Sequence, residues 1–208
     1  VKLILATSNK GKVKEIKALY SDVDVIAYSD IIAPFDIVED GSDFQANALI
    51  KARAVYAALH DKHAIVIADD SGISVDVLNG EPGIYSARYA GADASDKENL
   101  FALIEAIKAQ GVNASPAHYT AAIAIVDAHG EESVHGWMYG TAITQARGDG
   151  GFGYDPMFIP LGYEQTLGEL SEAVKVTLSH RSKALQKARI LLQRDRYSMT
   201  ASWDPASI

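Results

Sequence analysis

Five apolar residues, Ala64-Ile65-Val66-Ile67-Ala68, run without a polar break into two aspartates, Asp69 and Asp70. An unbroken apolar run of this length is the pattern of a strand covered on both faces, as in sheets with helices on either side. In open α/β sheets, ligands sit outside the carboxyl ends of the strands. Two carboxylates at that point are therefore candidates for chemistry. Adjacent carboxylates repel, and are tolerated when a cation or hydrogen bonds hold them. Mg2+ favours such oxygen ligands and reaches on to substrate phosphates. A plain polar turn over Asp69-Asp70-Ser71-Gly72, with one aspartate accepting backbone bonds, fits the same residues.

The remaining pattern supports an α/β chain. Lys2 to Thr7 reads as a buried strand, Ser8 to Gly11 as a turn, and Lys12 to Tyr20 as a helix with Val13, Ile16, Leu19 and Tyr20 on one face. Val23 to Tyr28 is a second short strand. Asp43 to Leu59 is a helix with Phe44, Ala48, Ala52, Val55 and Leu59 as its apolar stripe. After Asp69-Asp70-Ser71-Gly72 ends the central strand, Ile73, Val75 and Val77 alternate with polar residues as a new, half-buried strand. Asn79 to Ala94 is loop-like. Ser95 and Glu98 make a capping-box signature for a helix to about Ala109. Ala117–Val126 and Ser133–Thr144 read as long strands joined near Gly130. Arg147 to Pro160 is a Gly-rich loop. A short helix is expected over Gly168–Leu178, then one capped by Ser179 and running to about Arg194. The tail, Tyr197 to Ile208, has weak periodicity and is expected to fray. Strands alternating with helices, followed by a hairpin, predict a mixed rather than purely parallel sheet.

The chain has 208 residues, which suits one domain or two tightly joined lobes. Its net charge of −8 argues against binding polymeric nucleic acid through the backbone. A local basic cluster can still take a small phosphorylated ligand. Cysteine is absent, so there is no thiol nucleophile and no thiolate metal site. No run approaches the roughly 20 apolar residues of a membrane span. The opening Val1–Ala6 is too short for a signal-peptide core, and cytoplasmic location is expected.

Five further constellations carry candidate chemistry. Thr7-Ser8-Asn9-Lys10-Gly11-Lys12 lies between a strand and a helix, where backbone N–H groups and the helix dipole favour an anion. It is not a Walker A loop, because Ala6 and Val13 stand where that pattern needs Gly and Ser or Thr. A simple helix cap with solvated lysines remains open there. Glu39-Asp40 can supply another metal carboxylate or be solvated. Asn47 and Lys51 sit four apart at the margin of an apolar stripe, where a lysine can also merely snorkel. In Gly150-Gly151-Phe152-Gly153-Tyr154-Asp155, the glycines permit close approach of a ligand. Phe152 or Tyr154 can stack on a base, and Asp155 can accept from a base N–H; inward-packed aromatics are the alternative. Lys175, His180 and Arg181 are the last. A basic pair in the first turn of a helix opposes the usual charge bias, which an anionic or keto-bearing ligand would explain; an exposed basic patch stays open too.

Together and in this order, the motifs resemble the inosine triphosphate pyrophosphatase family. They are Ala6–Lys12, Asn47–Arg53, Ala68–Gly72, Pro82–Tyr89, Gly151–Pro156 and Ser179-His180-Arg181. The resemblance covers nearly the whole chain. It implies an elongated mixed α/β fold with flanking helices and two lobes around a nucleotide-binding cleft. It implies hydrolysis of inosine, deoxyinosine and xanthosine triphosphates to monophosphate and pyrophosphate, with Mg2+ as cofactor and a homodimer as the assembly. By position, Asp70 matches the proton acceptor and a metal ligand, and Glu39 a second metal carboxylate. Thr7, Ser8, Asn9, Lys10, Gly11, Lys12, Lys51, Ser71 and Lys175 match phosphate- and sugar-side contacts. Phe152, Gly153, Tyr154, Asp155, His180 and Arg181 match the base pocket. The role of Asp69 is left unassigned. Glu172-Ala173-Val174 lacks the charged pair often found before Lys175. A pyrophosphatase for other abnormal nucleotides and a non-catalytic nucleotide-binding module are the alternatives.

Overall fold

The computed structural model describes residues 2–7 and 9–195. Ser8 and the tail expected to fray lie outside the described residues. Six strands form one mixed sheet in the order β2-β1-β3-β4-β5-β6. They are β1 (Lys2–Leu5), β2 (Asp24–Ala27), β3 (Ile65–Val75), β4 (Ala114–Asp127), β5 (Gly130–Ile143) and β6 (Phe158–Pro160). β1 pairs parallel with both β2 and β3, and β6 pairs antiparallel with β5. The helices are α1 (Lys10–Leu19), α2 (Phe44–Leu59), α3 (Asp96–Ala109), α4 (Glu172–Leu178) and α5 (His180–Asp195). The α/β class and the mixed sheet agree with the sequence reading. No helix among the described residues is long and apolar enough to cross a membrane.

The described residues divide into two compact units. One holds residues up to 70, 122–136 and 182 onward; the other holds 71–121 and 137–181. In the first unit, side chains on β1 and β3 alternate between faces, as strand geometry requires. Ile4, Ala6, Val66 and Ala68 face α2, whose Ala48, Ala52 and Val55 are fully buried against them. Small residues there let the helix approach the sheet closely. Leu3, Leu5, Ile65 and Ile67 are buried on the opposite side. On α1, Ile16 is buried, and the Tyr20 hydroxyl just beyond its end donates to the Leu185 carbonyl of α5 at 2.6 Å. In the second unit Ile73, Val75, Leu103, Ile107, Tyr119, Met157 and Phe158 belong to one buried core.

Several boundaries differ from expectation. The central strand does not end at Asp69; β3 runs unbroken through Asp69-Asp70-Ser71-Gly72 to Val75. Turn-like composition is overruled because each aspartate finds a cation on its own side of the sheet. α1 starts at Lys10 rather than Lys12, because Asn9 is the cap: its Oδ1 accepts from the Gly11 and Lys12 amides. The loop-like stretch after Asn79 contains a 3-10 helix, Gly83–Arg88. The Gly-rich loop before Pro160 contains another, Asp155–Met157, and then β6. α4 begins only at Glu172, after its cap Ser171. The capping box of α3 forms as read, with Ser95 and Glu98 reciprocally bonded.

Candidate functional site

In the first unit, β3 extends past the end of β1, whose last registered partner is Ile67. Asp69 and Asp70 therefore stand just beyond the carboxyl end of a parallel strand. Being neighbours on a strand, they point to opposite faces. Asp69 is buried and meets Lys12 from α1, Nζ to Oδ2 at 3.2 Å. Asp70 meets Lys51 from α2, with Nζ 3.0 Å from Oδ1. The same ammonium lies 2.9 Å from Glu39 Oε2. The carboxylates that converge on one cation are thus Asp70 and Glu39, the two matched as metal carboxylates by the resemblance. Asp69 is the partner of Lys12.

Glu39 lies in a segment without regular structure, so something must fix it. One turn before Lys51 on α2, the buried Asn47 side chain accepts from the Gly41 amide at 2.8 Å. A Cβ at Gly41 would stand 2.7 Å from both Asn47 Oδ1 and Ala46 Cβ. Only glycine lets the segment lie this close to α2. Asn47 and Lys51 together dock it at two points, four residues apart on one helix face.

Burial raises the Asp70 carboxyl above the ordinary carboxylate range, although Lys51 and Lys12 pull it down; Glu39 adds to the rise. Burial works against the charge on Lys51, but Asp70 and Glu39 more than offset it and hold its pKa above normal. A carboxylate with raised proton affinity suits a general base. The first turn of α1 contains no acidic residue and carries Lys10 and Lys12 instead. Lys10 is exposed. The Gly11 and Lys12 amides already donate to Asn9, so the anion-attracting groups left at this turn include the lysine side chains. Thr7 Oγ1 accepts from the Asn9 amide at 3.2 Å.

The second unit gathers the remaining candidates. Arg181, buried at 3% exposure, donates to Ser71 Oγ at 2.9 Å. The His180 ring stacks on Tyr119, centroids 4.8 Å apart and nearly parallel. Lys175 Nζ lies 2.7 Å from Glu172 and 3.6 Å from Asp155 Oδ2. That oxygen also accepts from the Phe152 amide at 3.3 Å. Burial pushes the Asp155 carboxyl up to about 6, against the opposing pull of Lys175. At Gly151, φ is +79°, and a Cβ would fall inside the Asp155 carboxylate and 2.8 Å from Lys175 Nζ. Gly153 donates to Asp96 Oδ2 at 3.0 Å. Of the two aromatics read as stacking candidates, Phe152 is 60% exposed while Tyr154 is buried, its hydroxyl donating to the Ser86 carbonyl at 2.6 Å. The Tyr154 ring is thus a core residue that anchors the loop, as the inward-packed alternative has it, and Phe152 is the exposed one of the two.

Among the sequence-read residues, the structure brings together Glu39, Lys51 and Asp70; Phe152, Asp155 and Lys175; and Ser71 with Arg181. Ser8 is outside the described residues. Sequence reasoning missed Tyr119, Asp96, Gly41 and the function of Asp69. Tyr119 lies within a strand and looks like ordinary core, and Asp96 looks like helix-start charge. Gly41, right after Glu39-Asp40, was the one visible signal.

The sequence matches the Ham1 family over residues 3–190. A protein named dITP/XTP pyrophosphatase from Sulfurimonas denitrificans is 65% identical over 197 residues, 93% of this chain and 99% of that protein. One of the same name from Sulfurovum sp. is 57% identical, covering 93% and 94% of the two chains. Among solved structures, the Staphylococcus aureus Ham1 protein superposes with a TM-score of 0.84 at 35% identity, covering 94% of this chain and all of that one. A HAM1 protein from Coxiella burnetii gives 0.82 at 33% identity, over 93% and 98%. With sequence and fold matched across nearly its whole length, this chain belongs to the Ham1 family.

Proposed function

We propose that the chain hydrolyses deaminated purine nucleoside triphosphates (ITP, dITP and XTP) to the monophosphate and pyrophosphate, clearing them from the nucleotide pool. The observation that carries this reading is the convergence of Glu39 and Asp70 on Lys51, in a chain whose full-length relatives are named dITP/XTP pyrophosphatases. Glu39 and Asp70 would hold Mg2+. Their donor set fits: two carboxylates are a usual protein share of a Mg2+ shell, with phosphates and water supplying the rest. No cluster of three or more metal-ligating side chains occurs among the described residues, and this chemistry does not require one. When bound, Mg2+ supplies charge neutralisation for the phosphates and acidifies water.

Asp70 then accepts a proton from the water that attacks the α-phosphorus. The new P–O bond forms as the bond to the bridging oxygen breaks, and pyrophosphate leaves with that electron pair. Lys10, Lys12 and Lys51 offset charge on the phosphates. Lys175 and Ser71 serve the phosphate and sugar side, and Phe152, Gly153, Asp155, His180 and Arg181 the base. Arg181 carries donors only. It can donate to a 6-keto oxygen, whereas a 6-amino group offers it no acceptor in return. Sites of this type discriminate by about 10⁴–10⁵. The protein is further proposed to act in the cytoplasm as a homodimer, which light scattering tests.

The deciding experiment measures pyrophosphate and orthophosphate released from ITP, XTP and ATP, with and without Mg2+. Pyrophosphate from ITP and XTP, dependent on Mg2+ and much slower from ATP, is expected. Orthophosphate as product, or equal kcat/KM for ITP and ATP, overturns the reading.

A further inference from the structure

Lys51 occupies an unusual position. Its ammonium is within 3.0 Å of oxygens on both Glu39 and Asp70, and its side chain is only 12% exposed. Glu39 sits on an irregular segment, and Asp70 is mostly covered. Without a cation between them the two carboxylates repel, and the Glu39 segment loses one of its two docking points on α2. Lys51 is anchored on a long helix whose neighbouring residues Ala48, Ala52 and Val55 are fully buried, so its backbone is fixed while the flexible stem can swing.

We infer that Lys51 is a built-in stand-in for the divalent cation: it holds Glu39 and Asp70 assembled in the metal-free protein and withdraws from them when metal enters. The inference rests on the proposed metal role of Glu39 and Asp70. A dication and an ammonium compete for the same oxygens, so each must weaken the other. The protein thereby keeps its two ligands in place between turnovers, at the cost of a lower intrinsic metal affinity. Metal enters most readily when an anion is present to receive the released ammonium, and a metal–nucleotide complex brings that anion with it. Lys51 then exchanges carboxylate partners for phosphate oxygens without losing charge compensation.

Two measurements test this in the absence of nucleotide. The first is Mn2+ binding, read by the electron paramagnetic resonance of the free ion, for the wild-type protein, K51M and E39Q. K51M is expected to bind Mn2+ roughly tenfold or more tightly, since it removes a like charge at contact distance. E39Q is expected to bind it more weakly. The second uses only the wild-type protein: nitrogen-15 NMR of lysine ammonium groups during a Mg2+ titration. The Lys51 signal, protected by its two acceptors, is expected to shift or exchange away as Mg2+ saturates. Unchanged affinity in E39Q overturns the metal site itself. Weakened binding in E39Q with unchanged or weaker binding in K51M overturns the stand-in role alone. So does a Lys51 signal that stays fixed at saturating Mg2+, and that result does not depend on any variant folding.

Discussion

Replacing Asp155 with asparagine should stabilise the protein while impairing it. Burial pushes this carboxyl from the ordinary 3.8 up to about 6, with Glu172 adding to the rise and Lys175 and the Phe152 amide opposing it. The folded state therefore binds a proton more tightly at Asp155 than the unfolded chain does. Relative to a neutral side chain, Asp155 costs almost nothing below pH 3.8. Its cost grows as pH rises through the interval to about 6 and is constant above. The full gap corresponds to about 3 kcal/mol. The side chain is 15% exposed, so solvent screening removes little of it. Urea unfolding of wild type and D155N, followed by circular dichroism at pH 8 and pH 5, measures the effect. D155N should be more stable by about 3 kcal/mol at pH 8 and by about half that at pH 5. Its kcat/KM for ITP should fall, because Lys175 loses a charged partner. Equal or lower stability of D155N at pH 8 would refute the reasoning, since Lys175 would then more than compensate the buried charge.

Gly151→Ala forces a Cβ into the Asp155 carboxylate and keeps a positive φ, so kcat/KM for ITP should drop by about 10²-fold, as for other small misplacements of a site; full activity would show that the loop yields. Asn47→Ala leaves the Gly41 amide without its acceptor, which should cost about 1–3 kcal/mol in thermal or urea unfolding and raise the Mg2+ concentration for half-maximal rate. Asp70→Asn should cut kcat by about 10²–10⁴ if Asp70 is the base, and near-wild-type turnover would remove it from that role. A double-mutant cycle of Asp69→Asn with Lys12→Met should show a stability coupling of about 0.5–3 kcal/mol in urea unfolding, and a coupling near zero would show that the pair does not stabilise the fold.

The sheet and most helices were legible because periodicity and caps are local signals. Ala48, Ala52 and Val55 mark the buried stripe of α2, and Ser95 with Glu98 marks the start of α3. What local sequence could not carry was recruitment across the fold. Tyr119 becomes the platform for His180 only when β4 and the start of α5 meet, and Asp96 receives the Gly153 amide from a loop far along the chain. Tyr154 reads as a stacking ring until Ser86 supplies an acceptor for its hydroxyl in the core.

The Asp69-Asp70 pair shows the same limit most sharply. Asp-Asp-Ser-Gly has turn composition. β3 instead continues through all four residues, because Lys12 waits on one face and Lys51 on the other. Strand alternation then forbids a single ion from bridging the two neighbours. A two-carboxylate site on this strand has to recruit its second carboxylate from elsewhere in the chain. Only the α2 face can accept it, because Asp70 points there. The irregular Glu39 segment, docked through Gly41 on Asn47, brings a second carboxylate to that face. Lys51, reaching from the same helix, is the group that both carboxylates meet.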